Sequence, residues 1–212
     1  VQTCALPILL IKKTAIILCG GKSSKGYKNK AFLRIGEKNF LDIIIEKISN
    51  FDEIIISCSN KKIFSNYSGI SKIVEDDIQD IGPISGMYKS LNESRNSKVL
   101  MLSSDMPLVR EEYIKKLGIY EFDEDALITF TNGSSQPLCG VYDKKVNNII
   151  RSLIENKNYS VKELLKYISV RYIFPKESTF FRDVNNLEDY IDICSKSMQM
   201  KEIRNNSCFI VR

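Results

Sequence analysis

The sequence predicts an α/β fold, a mostly parallel sheet with helices on both faces. The first observation behind this is a recurrence of short apolar runs, Ala15–Cys19, Glu53–Cys58 and Lys98–Ser103, each ending in small or polar residues. Runs of this length, bounded by turn residues, read as buried strands. The second is that segments between them carry apolar residues at helical spacing, as in Phe40, Ile43, Ile44 and Ile48. Strand–helix alternation at this pace builds a parallel sheet covered on both sides. A chain of 212 residues suits one such domain with a sizeable core.

Taken in order, the first strand ends at Gly20-Gly21, and Ala31–Ile35 alternates weakly before Gly36. A helix is expected over Asn39–Ser49, a strand over Glu53–Cys58, a short polar helix near Lys61–Tyr67 and a strand over Ser71–Val74. A loop rich in acid, Gly and Pro then fills Glu75–Gly86, with Met87–Ser94 helical behind it. Lys98–Ser103 is a strand stopped by Ser104-Asp-Met-Pro107. Val109–Leu117 reads as a helix closed by Gly118. Ala126–Phe130 and Pro137–Tyr142 read as strands joined across Asn132-Gly133, a strong hairpin signal. Asp143–Glu155 is expected to be a helix, and Ser160-Val-Lys-Glu163 has the form of a capping box opening another. Val170–Phe174 is a last strand and Asn186–Cys194 a last helix.

Residues 1–13 are expected to be a non-native or disordered leader. Val1–Ile8 lacks an initiator Met and reads like a translated sequencing-adapter oligonucleotide. The domain is expected over 14–193. Residues 194–212 are expected to be a tail, either a frayed end or the truncated start of a further segment.

Composition narrows the chemistry. The chain has no histidine, which excludes Ser-His-Asp and Cys-His catalysis and His-ligated zinc. Its net charge of +5 is modest, and its lysines are spread out, which suits a small anionic ligand at least as well as nucleic acid. The six cysteines show no CxxC spacing and point to a reducing, cytoplasmic compartment without disulfides. The apolar run Ala5–Ile11 is too short for a membrane span.

In parallel sheets, ligands bind beyond the carboxyl ends of the strands. That rule brings the Gly20-Gly21 loop, the Asp76 loop and Asp105 to one edge. Gly20-Gly21 lets backbone N–H groups approach an anion, and Lys22, Lys25, Lys28 and Lys30 follow. Read alone, this stretch serves equally as a phosphate loop or a lysine-rich surface turn. Asp105 suits Mg²⁺, which takes one or two carboxylates; otherwise it caps the next helix or merely ends a strand. Asp76 or Asp77 would accept from a ribose hydroxyl or help hold a metal; otherwise they form a solvated acidic turn. Together the three stretches point to nucleotide chemistry. The sequence contains neither a Walker A motif nor Gly-x-Gly-x-x-Gly. An acceptor that is already anionic needs alignment and charge neutralisation, with no general base.

Leu18-Cys-Gly-Gly-Lys-Ser-Ser-Lys25, with Lys30 downstream, resembles the signature Leu-Ala-Gly-Gly-x-Ser-x-Arg-Met-Gly-x-Asp-Lys of MobA-like nucleotidyltransferases. The nearest match within them is the molybdenum cofactor guanylyltransferase family. Asp76…Gly82-Pro-Ile-Ser-Gly86, Ser104-Asp-Met-Pro107, Gln136-Pro-Leu-Cys-Gly-Val-Tyr142 and Phe181-Arg-Asp-Val-Asn-Asn-Leu-Glu-Asp189 agree in order and spacing. The resemblance covers about Thr14 to Ile193. It implies a three-layer, Rossmann-like fold of the glycosyltransferase-A type. It also implies transfer of GMP from GTP to the terminal phosphate of molybdenum-bound molybdopterin, with release of pyrophosphate. Leu18, Cys19, Gly20 and Gly21 would bind the guanine nucleotide together with Asp76. Lys30 would bind its phosphates and, with Asp105, act in catalysis; Asp105 would bind nucleotide and Mg²⁺. Asp183 and Asn185 would bind the pterin. GTP, molybdenum-bound molybdopterin and recipient molybdoenzyme apoproteins are the implied partners, with no nucleic acid and no membrane. The chain departs from the pattern at Lys25-Gly26-Tyr27, which replaces Arg-Met-Gly, at Asn29, which replaces the usual acid, and at Asp183, which replaces Asn. The alternatives are a molybdenum cofactor cytidylyltransferase, a sugar-1-phosphate nucleotidyltransferase and a non-catalytic nucleotide-binding module.

Overall fold

A computed structural model describes residues 10–20, 29–67, 69–78, 81–181, 183–184 and 186–195. Gly21, the Lys25-Gly26-Tyr27 departure, Asn185, residues 1–9 and residues 196–212 lie outside the described residues. In chain order the described elements are β1 (Ile11–Leu18), β2 (Arg34–Ile35), β3 (Lys38–Asn39), α1 (Phe40–Lys47), β4 (Phe51–Cys58), β5 (Lys72–Glu75), α2 (Pro83–Glu93), β6 (Lys98–Ser103), α3 (Glu111–Ile119), β7 (Ala126–Thr131), β8 (Ser134–Asp143), α4 (Asn147–Glu155), α5 (Val161–Leu164) and β9 (Val170–Ile173). Residues 187–195 form a further helix, α6.

Seven strands form one sheet in the order β5-β4-β1-β6-β8-β7-β9, and β2 pairs with β3 in a small separate ribbon. Only β8 runs against the others in the large sheet. The apolar runs are continuous because both sheet faces are covered. In β1, Ala15 and Ile17 face one core while Ile16 and Leu18 face the other. The first core takes Phe40, Leu41 and Ile44 of α1, Ile114 and Leu117 of α3, and Ile193 of α6. The second takes Ile84, Met87 and Leu91 of α2, Ile150 and Leu153 of α4, and Val161 and Leu164 of α5. The result is the expected three-layer, mostly parallel α/β architecture.

Element starts follow local chemistry. Asn39 opens α1 with a complete capping box, its side chain accepting from the Asp42 N–H and Asp42 accepting from the Asn39 N–H. Asn186 and Asp189 make the same reciprocal pair at the start of α6. Asn132 and Gly133 both have positive φ, 52° and 73°, as a two-residue hairpin turn requires. Ser160 accepts from the Glu163 N–H, although the helix it opens is one turn long.

Two glycines differ from expectation. Gly86 lies inside α2, which starts at Pro83 just after Gly82 (φ 80°), so the loop is shorter than expected. Gly118 does not close α3 but sits within it, where a Cβ would come within 2.8 Å of Phe51 and 2.9 Å of Ile11. It is glycine for close packing onto β1 and β4. The expected long helix from Asp143 begins instead at Asn147, after β8 and a short 3₁₀ turn at Lys144–Val146.

Candidate active site

The chain passes from β1 to β4 and β5 on one side, then returns to β6 on the other side of β1. The carboxyl ends of β1 and β6 therefore flank a topological switch point, where open α/β sheets form their ligand crevice. Backbone hydrogen bonds fasten the strand ends there. The Cys19 N–H donates to the Ser57 carbonyl at 2.8 Å, the Ser104 N–H to the Leu18 carbonyl at 3.1 Å, and the Asp76 N–H to the Cys58 carbonyl at 2.9 Å.

Gly20, Asp76 and Gly86 meet on one side of this crevice. A Cβ on Gly20 would stand 3.4 Å from Asp76 Oδ2, and a Cβ on Gly86 would stand 2.9 Å from Asp76 Oδ1 and 2.4 Å from Ser57 Oγ. Ser57 donates to Asp76 Oδ1 at 3.0 Å. Burial raises the Asp76 carboxyl above its usual range, opposed by the Ser57 hydroxyl. Asp77 turns outward and pairs with Lys89 at 3.0 Å, so the two neighbouring acids divide between site and surface. Leu18 and Cys19 are buried, and burial pushes the Cys19 thiol far up.

Lys30 and Asp105 meet at the centre. Lys30 Nζ stands 3.1 Å from Asp105 Oδ2, both side chains being about one-fifth exposed (23% and 17%). Ser103 donates to Asp105 Oδ1 at 2.5 Å. Asp105 does not cap α3, whose start carries no side-chain cap. The turn bearing it is held from behind by Lys47 of α1, which donates to the Pro107 and Val109 carbonyls at 2.5 and 2.9 Å.

Asp183 arrives on the other side. The Val184 N–H donates to the Asp105 carbonyl at 3.3 Å, fastening this segment to the β6 turn. Burial, then the charge of Asp105, raises the Asp183 carboxyl to about 6, while Lys30 opposes the rise. Asp105 and Asp183 line a cavity of about 470 Å³ with Ser134, Ser135 and Gln136 from the start of β8 and Tyr159, Ser160 and Lys162 from the entry to α5. Pro83 borders it too, so the positive end of α2 faces the cavity.

The structure thus joins Gly20 with Asp76, Lys30 with Asp105, and Asp105 with Asp183. Ser57 and Ser103 escaped the sequence reading, and the stretches from β8 and α5 were read as a family motif from Gln136 and a capping box at Ser160 without a place in the site. For the two serines a signal exists, a polar residue at the carboxyl end of an apolar strand. For the cavity wall the only signal is the motif from Gln136, because its parts are far apart in sequence.

The sequence model of the MobA-like NTP transferase domain matches residues 15–171. The chain belongs to this family. A relative from Clostridium perfringens, named a probable molybdenum cofactor guanylyltransferase, is 32% identical over 88% of this chain and 98% of its own. One from Flavobacterium johnsoniae with the same name is 31% identical over 85% and 95%. The molybdenum cofactor guanylyltransferase of a Campylobacter jejuni strain is 28% identical over 82% and 92%. Among solved structures, molybdopterin-guanine dinucleotide biosynthesis protein A from Archaeoglobus fulgidus superposes with a TM-score of 0.70 at 22% identity, covering 86% of this chain and 99% of that one. A 4-diphosphocytidyl-2C-methyl-D-erythritol synthase from Anaerococcus prevotii reaches 0.70 at 18% identity, covering 91% and 98%. These two likenesses establish the Rossmann-like nucleotidyltransferase fold, and family membership makes the chain a nucleotidyltransferase.

Proposed function

We propose that the chain transfers GMP from GTP to the terminal phosphate of molybdenum-bound molybdopterin, releasing pyrophosphate. The observation that carries this reading is the Lys30–Asp105 pair standing between the Gly20–Asp76 corner and the 470 Å³ cavity. One side suits a nucleotide, the other an acceptor, and the charged pair lies between them.

In the reaction an acceptor phosphate oxygen bonds to the α-phosphorus of GTP, and the bond from that phosphorus to the α–β bridging oxygen breaks. The leaving group is pyrophosphate. The attacking oxygen is already anionic, which fits a site without histidine. Lys30 offsets charge on the phosphates as a point charge. Asp76, held by Ser57, accepts from N–H donors; guanine offers N1–H and its N2 amine side by side, and CTP and ATP lack that pair. Asp183, Lys162 and the polar start of β8 would orient the acceptor.

The donor set fits Mg²⁺. No group of three or more potential ligands occurs among the described residues, but Asp105 and Asp183 line one cavity and the charge of one disfavours ionisation of the other. Mg²⁺ needs only one or two carboxylates and takes water and phosphate oxygens besides. Held by Asp105, with Asp183 beside it, the ion would supply charge neutralisation at the phosphates. Molybdoenzyme apoproteins as recipients, and a cytoplasmic site of action, belong to this reading.

Pyrophosphate release with GTP, CTP or ATP, with and without molybdenum-bound molybdopterin, tests it. Release with GTP only when the pterin is present is expected. Release with CTP instead moves the assignment to a cytidylyltransferase, and turnover with a sugar phosphate moves it to a sugar-1-phosphate enzyme. No turnover despite GTP binding leaves a binding module.

A further inference from the structure

Asn29 immediately precedes Lys30 and stands where the resembling signature carries an acid. Its amide has two partners. Asn29 Nδ2 donates to the Cys19 carbonyl at 2.7 Å, and Asn29 Oδ1 accepts from the Ala31 N–H at 3.1 Å. The second bond caps the 3₁₀ turn Lys30–Phe32. A carboxylate can accept from Ala31 but has no proton to give Cys19.

Both partners lead into the crevice. The Cys19 carbonyl belongs to the peptide that enters Gly20, and the N–H of Cys19 is already held by Ser57. The capped turn carries Lys30, whose ammonium reaches Asp105. One side chain therefore fixes the distance between the Gly20 backbone and the Lys30 turn, two parts of the site that come from different elements. We infer that Asn29 is a positioning residue for nucleotide binding, and that its amide makes a bond to the Cys19 carbonyl that the acid of the resembling signature could not make. The inference rests on the reading of this crevice as the nucleotide site.

The sharp consequence concerns N29D, which restores the acid. It keeps the bond from Ala31 but sets a carboxylate oxygen against the Cys19 carbonyl oxygen. N29D is expected to bind GTP about tenfold more weakly or worse, the scale of one lost hydrogen bond with an unsatisfied group. N29A, which loses both bonds without adding charge, is expected to weaken GTP binding to a similar extent.

Calorimetric titration of the full chain with GTP, CTP and ATP in Mg²⁺, followed by steady-state kinetics, tests this. The supporting outcome is a raised Kd and KM for GTP with the KM for the acceptor unchanged, in protein whose melting profile stays cooperative. A merely structural role would lower the active fraction and the melting temperature while leaving both KM values alone, and that result overturns the inference. So does N29D binding GTP as tightly as the wild type; if N29D does not fold, N29A decides by the same criterion. A wild-type chain that binds CTP rather than GTP overturns the guanylyl reading alone, and the variants are then read with CTP. Binding of none of the three overturns both.

Discussion

Asp105 sits between two hydrogen-bonding partners that differ in charge. Ser103 occupies one carboxylate oxygen and Lys30 the other, so the group is oriented before any ligand arrives. D105N keeps the shape and removes the charge. It is expected to reduce pyrophosphate release by at least about a hundredfold, the scale of losing one electrostatic group at a reacting centre, with folding, read by circular dichroism, unchanged. Gly86 gives a second residue-scale test. The methyl group of G86A would overlap Ser57 Oγ and crowd Asp76 Oδ1, displacing the carboxylate from Gly20. The KM for GTP is expected to rise about tenfold or more, measured at saturating acceptor, because misplacing a binding group by a fraction of an ångström is costly. Gly20, Lys30, Asp76 and Asp105 were legible in the sequence because each follows the carboxyl end of an apolar run or lies in a loop that such a run feeds. Asn29 was legible only as a departure, since its meaning depends on the Cys19 carbonyl.

Among the described residues, edge strand β9 pairs only with β7 within the sheet, and its start is tied down by Asp125. Asp125 accepts from the Ser169 N–H at 2.8 Å and the Ser169 hydroxyl at 2.7 Å, and pairs with Lys145 at 2.8 Å. Lys145, then the Ser169 amide, lower its carboxyl to about 2. A carboxyl depressed below its unfolded value of about 3.9 contributes stability that is fully present above that pH. It is lost as pH falls toward the folded value. Urea midpoints of the wild type and D125N are therefore expected to differ at pH 7 and to converge between about pH 4 and pH 2. The start of α5 was readable because a cap and its partner are three residues apart, as in Ser160 and Glu163, whereas α2 and α4 begin at Pro83 and Asn147, away from the expected positions. The roles of Gly86 and Gly118 were not readable. A glycine near a helix end looks like a stop signal along the chain, while the atoms that exclude a side chain belong to β1, β4 and, at Gly86, also Asp76. G118A is expected to destabilise the fold by about 1–3 kcal/mol through overpacking. Thermal melts would show it, with GTP affinity unaffected, since Phe51 and Ile11 lie at the opposite ends of their strands from the crevice.

Across the whole molecule, parallel strands with a switch between β1 and β6 put every described nucleotide-side candidate on one sheet edge. That much followed from the sequence pattern. The strand order on the β8 side did not, because a hairpin and a crossover leave similar apolar runs. Nor did the cavity, whose wall joins Ser134–Gln136 to Tyr159–Lys162. Q136A is expected to raise the KM for the acceptor while leaving the Kd for GTP within about twofold, which paired titration and kinetics would measure, because its cavity wall comes from the β7–β8 side of the sheet, apart from the Gly20–Asp76 corner.

Because β8 alone is reversed, the Asn132-Gly133 turn and the three residues after it reach the same edge as the ends of the other strands. One wall of the cavity is therefore a hairpin tip, the class of segment that accepts insertions and exchanges most readily. The corner holding Asp76 is locked by strand ends and by Gly86, where a side chain would overlap Ser57 and crowd Asp76. Variation among descendants of this scaffold then has a natural direction. On the proposed reading of this cavity as the acceptor side, exchange of that one turn is expected to shift the acceptor's affinity while leaving the corner that holds Asp76 in place.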